Sequence, residues 1–99
     1  MIGTPDAVSA AGEKLDARRK KLRFRSWHRG MREMDLILGR FADAELGALT
    51  DEEIDQYEGL LDFPDDHFFL LITGERPVPR HLDCPLLQRI LVFGRTFKA

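Results

Sequence analysis

Apolar side chains recur every three or four residues along most of this chain, so helix is the dominant expectation. From Trp27 to Phe41 the sequence reads Trp-His-Arg-Gly-Met-Arg-Glu-Met-Asp-Leu-Ile-Leu-Gly-Arg-Phe. Wound as a helix, it aligns Trp27, Met31, Met34, Leu38 and Phe41 in one stripe, with Ile37 at its edge. At about 100° per residue, Arg29, Glu33, Leu36 and Arg40 fall roughly 180–240° round from Trp27. One side can be buried while the other presents an arginine, a glutamate and a glycine together. Glycine costs about 1 kcal/mol in a helix interior relative to alanine. That cost predicts a helix opening at Gly30, where glycine tolerates backbone angles that other residues avoid.

The same pattern places four further helices. Glu13 to Trp27 is predicted as the first, with Leu15 and Leu22 seven apart and Phe24 and Trp27 three apart. The second runs from Gly30 to about Asp43. Thr50-Asp51-Glu52-Glu53 is a capping box: Thr50 can accept from the Glu53 amide while the Glu53 carboxylate reaches back. Ile54, Tyr57, Leu60 and Leu61 supply the apolar stripe of the third helix. Pro64 suits a first helical position, and Asp65 and Asp66 complement the amino-terminal dipole of a fourth. Its run Phe68-Phe69-Leu70-Leu71-Ile72 could also be a buried strand, but no second good strand candidate exists to pair with it. Gly74 is a plausible terminator. Pro77 and Pro79 mark a loop, and Asp83 can cap a fifth helix bearing Leu86, Leu87, Ile90, Leu91 and Phe97. The expected fold class is all-α: a compact, single-domain bundle of five short helices. Met34, Leu38, Phe41, Ile54, Tyr57, Leu61, Phe69, Leu87, Ile90 and Leu91 are its expected core, and Arg29 and Glu33 should be solvent-accessible.

Residues 1–12 are small and polar and are expected to form a disordered tail, leaving residues 13–99 as the folded domain. Ninety-nine residues suffice for one core and not two. With 43% apolar and 32% charged residues, the composition is globular. The net charge of −2 hides an asymmetry. Lys14 to Arg32 holds nine bases and one acid (Asp16), whereas Glu33 to Asp66 holds twelve acids and one base (Arg40). Partners could meet either pole. The single cysteine, Cys84, rules out an internal disulfide and points weakly to a reducing compartment. No apolar run approaches the ~18 residues needed to span a bilayer. Met1 to Gly12 resembles neither a secretory signal nor a transit peptide, so the cytoplasm is the expected location.

No enzyme signature is present: no Gly-rich phosphate loop, no dinucleotide fingerprint, no serine or cysteine nucleophile motif. His28, His67 and His81 lack metal-ligand spacing. Asp62, Asp65 and Asp66 could suggest a cation site, but a charged helix start explains them more simply. Arg18-Arg19-Lys20-Lys21, with Arg23 and Arg25, could bind phosphates, and two helices meeting at a glycine hint at helix-turn-helix. A small DNA-binding regulator using the basic first helix is therefore the alternative. A solvated helix face, salt-bridged to the acidic middle, accounts for the same residues, and that middle would repel a nucleic-acid backbone. An antitoxin-like interaction module finds no specific feature. Arg29 and Glu33, at i and i+4, form an ordinary helical ion pair on the plainest reading, worth about 0.3–0.5 kcal/mol, which leaves Gly30 unexplained.

Arg29-Gly30-Met31-Arg32-Glu33 resembles the Arg-Gly-x-x-Glu motif of the succinate dehydrogenase flavinylation factors, the SdhE family of assembly proteins. A basic helix precedes it, and Met31 and Asp35 extend the likeness to Arg-Gly-Met-x-Glu-x-Asp. Phe41-Ala42, Tyr57 before Leu60-Leu61, the Pro64-Asp65-Asp66 turn and Thr73-Gly74 before Pro77 and Pro79 follow in order. The resemblance covers roughly residues 18–97. It departs at Phe68-Phe69-Leu70-Leu71, where the family often carries a tryptophan. It implies a non-enzymatic, all-helical factor that binds the flavoprotein subunit of succinate dehydrogenase and promotes covalent attachment of FAD to a histidine there. Fumarate reductase is left open as a second client. It further implies a monomer that binds no nucleic acid, does not insert in a membrane and holds no cofactor stably, acting on FAD held by its partner. Carried over residue by residue, the partner-binding positions are Arg29, Gly30, Met31 and Glu33, with His28, Arg32 and Asp66 at the margin.

Overall fold

The structure is a computed structural model that describes the backbone of residues 3–96 and the side chains of residues 15–96. Five helices follow one another: α1 (Gly3–Trp27), α2 (Arg32–Glu45), α3 (Asp51–Leu61), α4 (Asp65–Thr73) and α5 (Pro85–Thr96). Short 3₁₀ turns occupy Leu46–Ala48 and Arg80–Leu82, and no strand occurs among the described residues. The all-α bundle expected from the pattern is present. α5 packs against α2, α3 and α4, while α1 lies across α2 and α3. Phe97, expected on the fifth helix, lies outside the described residues.

Local chemistry sets most of the boundaries. The capping box forms as expected: Thr50 accepts from the Glu53 amide at 3.1 Å, and the Glu53 carboxylate accepts from the Thr50 amide at 3.0 Å. That backbone bond, with help from Arg89, holds the Glu53 carboxyl below its ordinary range. Gly74 ends α4 at φ +82°, its amide bonded to the Leu71 carbonyl, as a left-handed cap requires. Pro64 is the residue before α4 rather than its first, so Asp65 opens that helix. α5 begins at Pro85, one residue later than a cap at Asp83 would give, and the Asp83 carboxylate accepts from the Gln88 side chain at 3.0 Å. α1 is helical back to Gly3, through most of the stretch expected to be a tail. Ala7, Ala10 and Ala11 are strong helix formers, and Pro5 and Asp6 suit a first turn.

Nine of the ten expected core residues are buried; Phe69 is half-buried, and Phe68 takes its place at 1% exposure. Period-3.6 reasoning cannot choose between adjacent phenylalanines when the run is apolar throughout. Leu22 is buried as its spacing leads one to expect, whereas Phe24, expected on the same apolar side of α1, stands exposed and Ser26 faces the core. The buried Ser26 hydroxyl donates to the Leu22 carbonyl at 2.7 Å and lies 2.6 Å from the Tyr57 hydroxyl, which is 3.4 Å from the Leu38 carbonyl. This short network ties α1, α2 and α3 together at one point and leaves no buried side-chain polar atom unpaired among the described residues.

Burial pushes the Tyr57 phenol up from 10.0 to about 12, against the opposing pull of Ser26 and the Arg29 and Arg25 charges. Below pH 10 the phenol is neutral in folded and unfolded chains alike. Between about pH 10 and 12 the unfolded chain releases the proton while the folded chain keeps it, so stability falls as pH rises. The loss should reach about 2–3 kcal/mol across that window. Tyr57→Phe should lack this part of the alkaline loss, which urea unfolding of both proteins on either side of pH 10 would read out. Equal pH slopes in the two proteins would remove Tyr57 as the cause.

Candidate functional site

The junction between α1 and α2 gathers most of the sequence-predicted site residues. α1 stops at Trp27 and α2 starts at Arg32, so His28 to Met31 form a loop rather than helix. Trp27 therefore does not share a stripe with Met34 and Leu38; it belongs to α1 and packs onto α2 from across. Its indole lies over Gly39, where a Cβ would sit 2.2 Å from a ring carbon. The indole Nε1 donates to Asp43 at 3.3 Å. Gly39, costly in a helix by propensity, is thus required by the closeness of the two helices.

Gly30 has φ +92°, and a Cβ there would meet nothing within 4 Å. Its requirement for glycine comes from the backbone angle, and the expected helix start moves two residues on, to Arg32. Met31 stands at the amino-terminal cap of α2, half-buried against the core, with no side-chain cap bond. Asp35, in the first turn of α2, ties the loop to the helix: its carboxylate accepts the Arg29 backbone N–H at 2.5 Å.

The Arg29 side chain overturns its expected exposure. It is 9% exposed, with Nε 2.7 Å from Asp65, itself 17% exposed. A second guanidinium nitrogen donates to the Phe63 carbonyl at 3.3 Å. Arg29 therefore fastens the loop to the corner between α3 and α4 and does not pair with Glu33. Because the loop is not helical, the i, i+4 geometry that would have joined them is absent. Asp65 and Asp35 were not among the expected site residues. Asp65 looked like a dipole-complementing acid, and nothing in its spacing pointed 36 residues back along the chain.

What remains on the surface is compact. Gly30, Arg32 and Glu33 are exposed, and neither the Arg32 nor the Glu33 side chain has a hydrogen bond or ion pair among the described residues. His28 is exposed, its ring stacked 3.9 Å over Phe24 and its Nδ1 2.7 Å from the Phe24 carbonyl. Asp66 is exposed and accepts from the His67 amide at 2.9 Å. No group of three His, Cys, Asp or Glu side chains among the described residues could hold a metal ion.

The basic arm folds back on the acidic middle. Arg18 bridges Asp55 and Glu58 at 2.6 and 2.9 Å, Arg25 bridges Asp62 at 2.8 Å, and Arg23 approaches Asp43 at 3.5 Å. Arg19 donates to the Leu46 and Leu49 carbonyls. Four of the six cations that suggested phosphate binding are thus engaged within the fold.

A family model described as "Flavinator of succinate dehydrogenase" matches residues 20–93. The chain belongs to this family. The matched stretch holds the whole α1–α2 loop together with the Asp35, Phe63 and Asp65 groups that support it. The chain is 35% identical over 89 residues to the "FAD assembly factor SdhE" of Acetobacter pasteurianus, covering 90% of this chain and 82% of that protein. It is 43% identical over 87 residues to the mitochondrial "Succinate dehydrogenase assembly factor 2" of Lodderomyces elongisporus, covering 85% and 53%. With the Debaryomyces hansenii protein of the same name it shares 42% over 60 residues, covering 61% and 42%. It thus spans most of the bacterial relative and about half the length of these mitochondrial ones. Among the described residues, no helix of this family member is long and apolar enough to cross a membrane.

Proposed function

We propose that this chain binds the flavoprotein subunit of succinate dehydrogenase through the α1–α2 loop and promotes covalent attachment of FAD to a histidine of that subunit. One observation carries the reading: in a flavinator-family chain, an exposed glycine held at φ +92° stands three residues from an exposed carboxylate with no partner of its own among the described residues. Beyond lying as an acid in the first turn of α2, Glu33 makes no side-chain bond among the described residues, and Gly30 offers bare backbone for close approach. Arg29, Asp35 and Asp65 hold the loop in shape before the partner arrives, which lowers the ordering cost of binding.

The gain to the partner is orientation. A factor that binds better to the conformation in which histidine and flavin are aligned raises the population of that conformation. This chain needs no chemistry of its own for that, so it acts as an assembly factor and not as an enzyme. Its proposed setting is the cytoplasm, as a monomer, with FAD held by the partner.

The test combines folding and flavin attachment. Glu33→Ala removes an exposed carboxylate and should change folding stability by well under about 1 kcal/mol. It should nonetheless leave the flavoprotein poorer in covalent flavin, read as in-gel fluorescence after denaturation. Leu38→Ala is the comparison: it empties a fully buried site, costs about 2–5 kcal/mol, and should act by unfolding the factor. Full flavin attachment with a folded Glu33→Ala would move the working face away from this loop. Running the assay with the flavoprotein subunit of fumarate reductase asks whether that protein is also a client.

A further inference from the structure

Beside the loop, α2, α4 and α5 leave a groove of about 350 Å³ whose wall carries Glu33. Ile37, Ile72 and Gly94 line its floor, and Phe69 stands half-buried at its edge. Gly94 lets α5 lie close against α2 and α4 at this floor: a Cβ there would fall 2.9 Å from Ile72 and 3.3 Å from Ile37. Phe69 packs against the core with part of its ring left exposed to the groove, whereas the neighbouring Phe68 is fully buried.

The charges on the rim are unequal. Arg95 is engaged, donating to the Ile72 and Leu71 carbonyls at 2.8 and 3.2 Å and so closing the end of α4. Glu33 has no internal partner among the described residues. A second groove across α5, near Phe41 and Val92, differs in this respect, since its rim charges Glu45 and Arg89 pair with each other at 2.5 Å. An apolar floor beside one unmatched carboxylate calls for an apolar side chain next to a cation.

We infer that this groove is a socket for one apolar side chain of the flavoprotein subunit that adjoins a lysine or arginine, the cation pairing with Glu33. The inference rests on the proposed function and deepens it. Glu33 becomes the polar edge of an anchor site, and Gly30 the place of backbone approach beside it. At about 350 Å³ the groove lies at the small end of the ~300–1,000 Å³ range of ligand pockets, which suits a single anchoring side chain.

Thr73, exposed at the last position of α4 and on the groove wall, allows the socket to be filled without touching the core. Thr73→Trp should fold normally by circular dichroism and thermal unfolding. Its affinity for the purified flavoprotein subunit lacking covalent flavin should fall at least about tenfold, whereas Val92→Trp, at an exposed position on the other groove, should bind as the wild type does. Glu33→Gln should also weaken binding and flatten its salt dependence. Combined with Thr73→Trp, it should add less than its separate effect, because both changes act on one anchor. Wild-type affinity in a folded Thr73→Trp would overturn the socket while leaving the proposed function standing. Failure of the wild-type chain to bind the subunit at all would remove both. A wild-type dimer in sedimentation, dispersed by Thr73→Trp, would give the groove to a second copy of this chain and equally overturn the inference.

Discussion

Arg29→Leu should unfold at markedly lower urea than the wild type, by about 3 kcal/mol, the lower end of the range for breaking a buried ion pair. The guanidinium is 9% exposed and joins Asp65 and the Phe63 carbonyl at once. Removing it leaves the Asp65 carboxylate, 17% exposed, without its cation. For a chain of this size each lost kcal/mol lowers Tm by about 4–8 °C, so the shift should exceed 10 °C or so. Pairing the change with Asp65→Leu should recover much of the loss, because an orphaned charge costs more than an apolar pair. Flavin attachment then separates two roles. If the stable double variant supports attachment, Arg29 acts by holding the loop. If it is stable and inactive, the guanidinium also meets the partner. A single Arg29→Leu variant as stable as the wild type would refute the staple outright.

Gly30→Arg should nearly abolish covalent flavin in the partner while costing the factor about 1–2 kcal/mol of stability. The stability term arises because φ +92° is unfavourable for any residue with a Cβ, even though the space around it is open. That cost makes the variant a less clean interface probe than an exposed position alone suggests. Gly30→Asn supplies the comparison, since asparagine visits left-handed angles more readily and adds a smaller side chain. It should retain most of the stability and show an intermediate loss of flavin attachment. Were Gly30→Asn and Gly30→Arg equally stable and both fully active, backbone approach at this loop would have no part in docking.

Helix positions were legible wherever the determinant lay within a few residues. The Thr50 and Glu53 caps, the Gly74 stop and the apolar spacings of α3, of α2 from Met34 to Phe41 and of α5 from Leu86 to Leu91 depend on neighbours one to four positions away, and each formed as expected. Ambiguity began where local pattern was uniform, as at Phe68 and Phe69, and helix starts fell one residue later than the cues at Pro64 and Asp83 indicated. Trp27 shows the commonest failure. Its spacing to Met31 and Met34 continues a helical stripe, yet the chain turns at Gly30 and the indole reaches α2 from another helix.

The site divides along the same line. Family likeness and an out-of-place glycine marked the Arg29–Glu33 stretch from sequence, and glycine's freedom at positive φ is a property of that residue alone. Which side chains face outward could not be read locally. Arg29 is drawn inward by Asp65, 36 residues away, and by a carbonyl 34 residues away, while Glu33 is left without a partner among the described residues because the loop breaks the register that would have paired them. The basic arm followed the same rule: its charge was plain in the sequence, but Asp55, Glu58 and Asp62 reach it only once α3 lies alongside α1. Local geometry sets where helices start and stop, because their hydrogen bonds close within four residues. The exposure of a charge depends on which distant group the packed helices bring beside it.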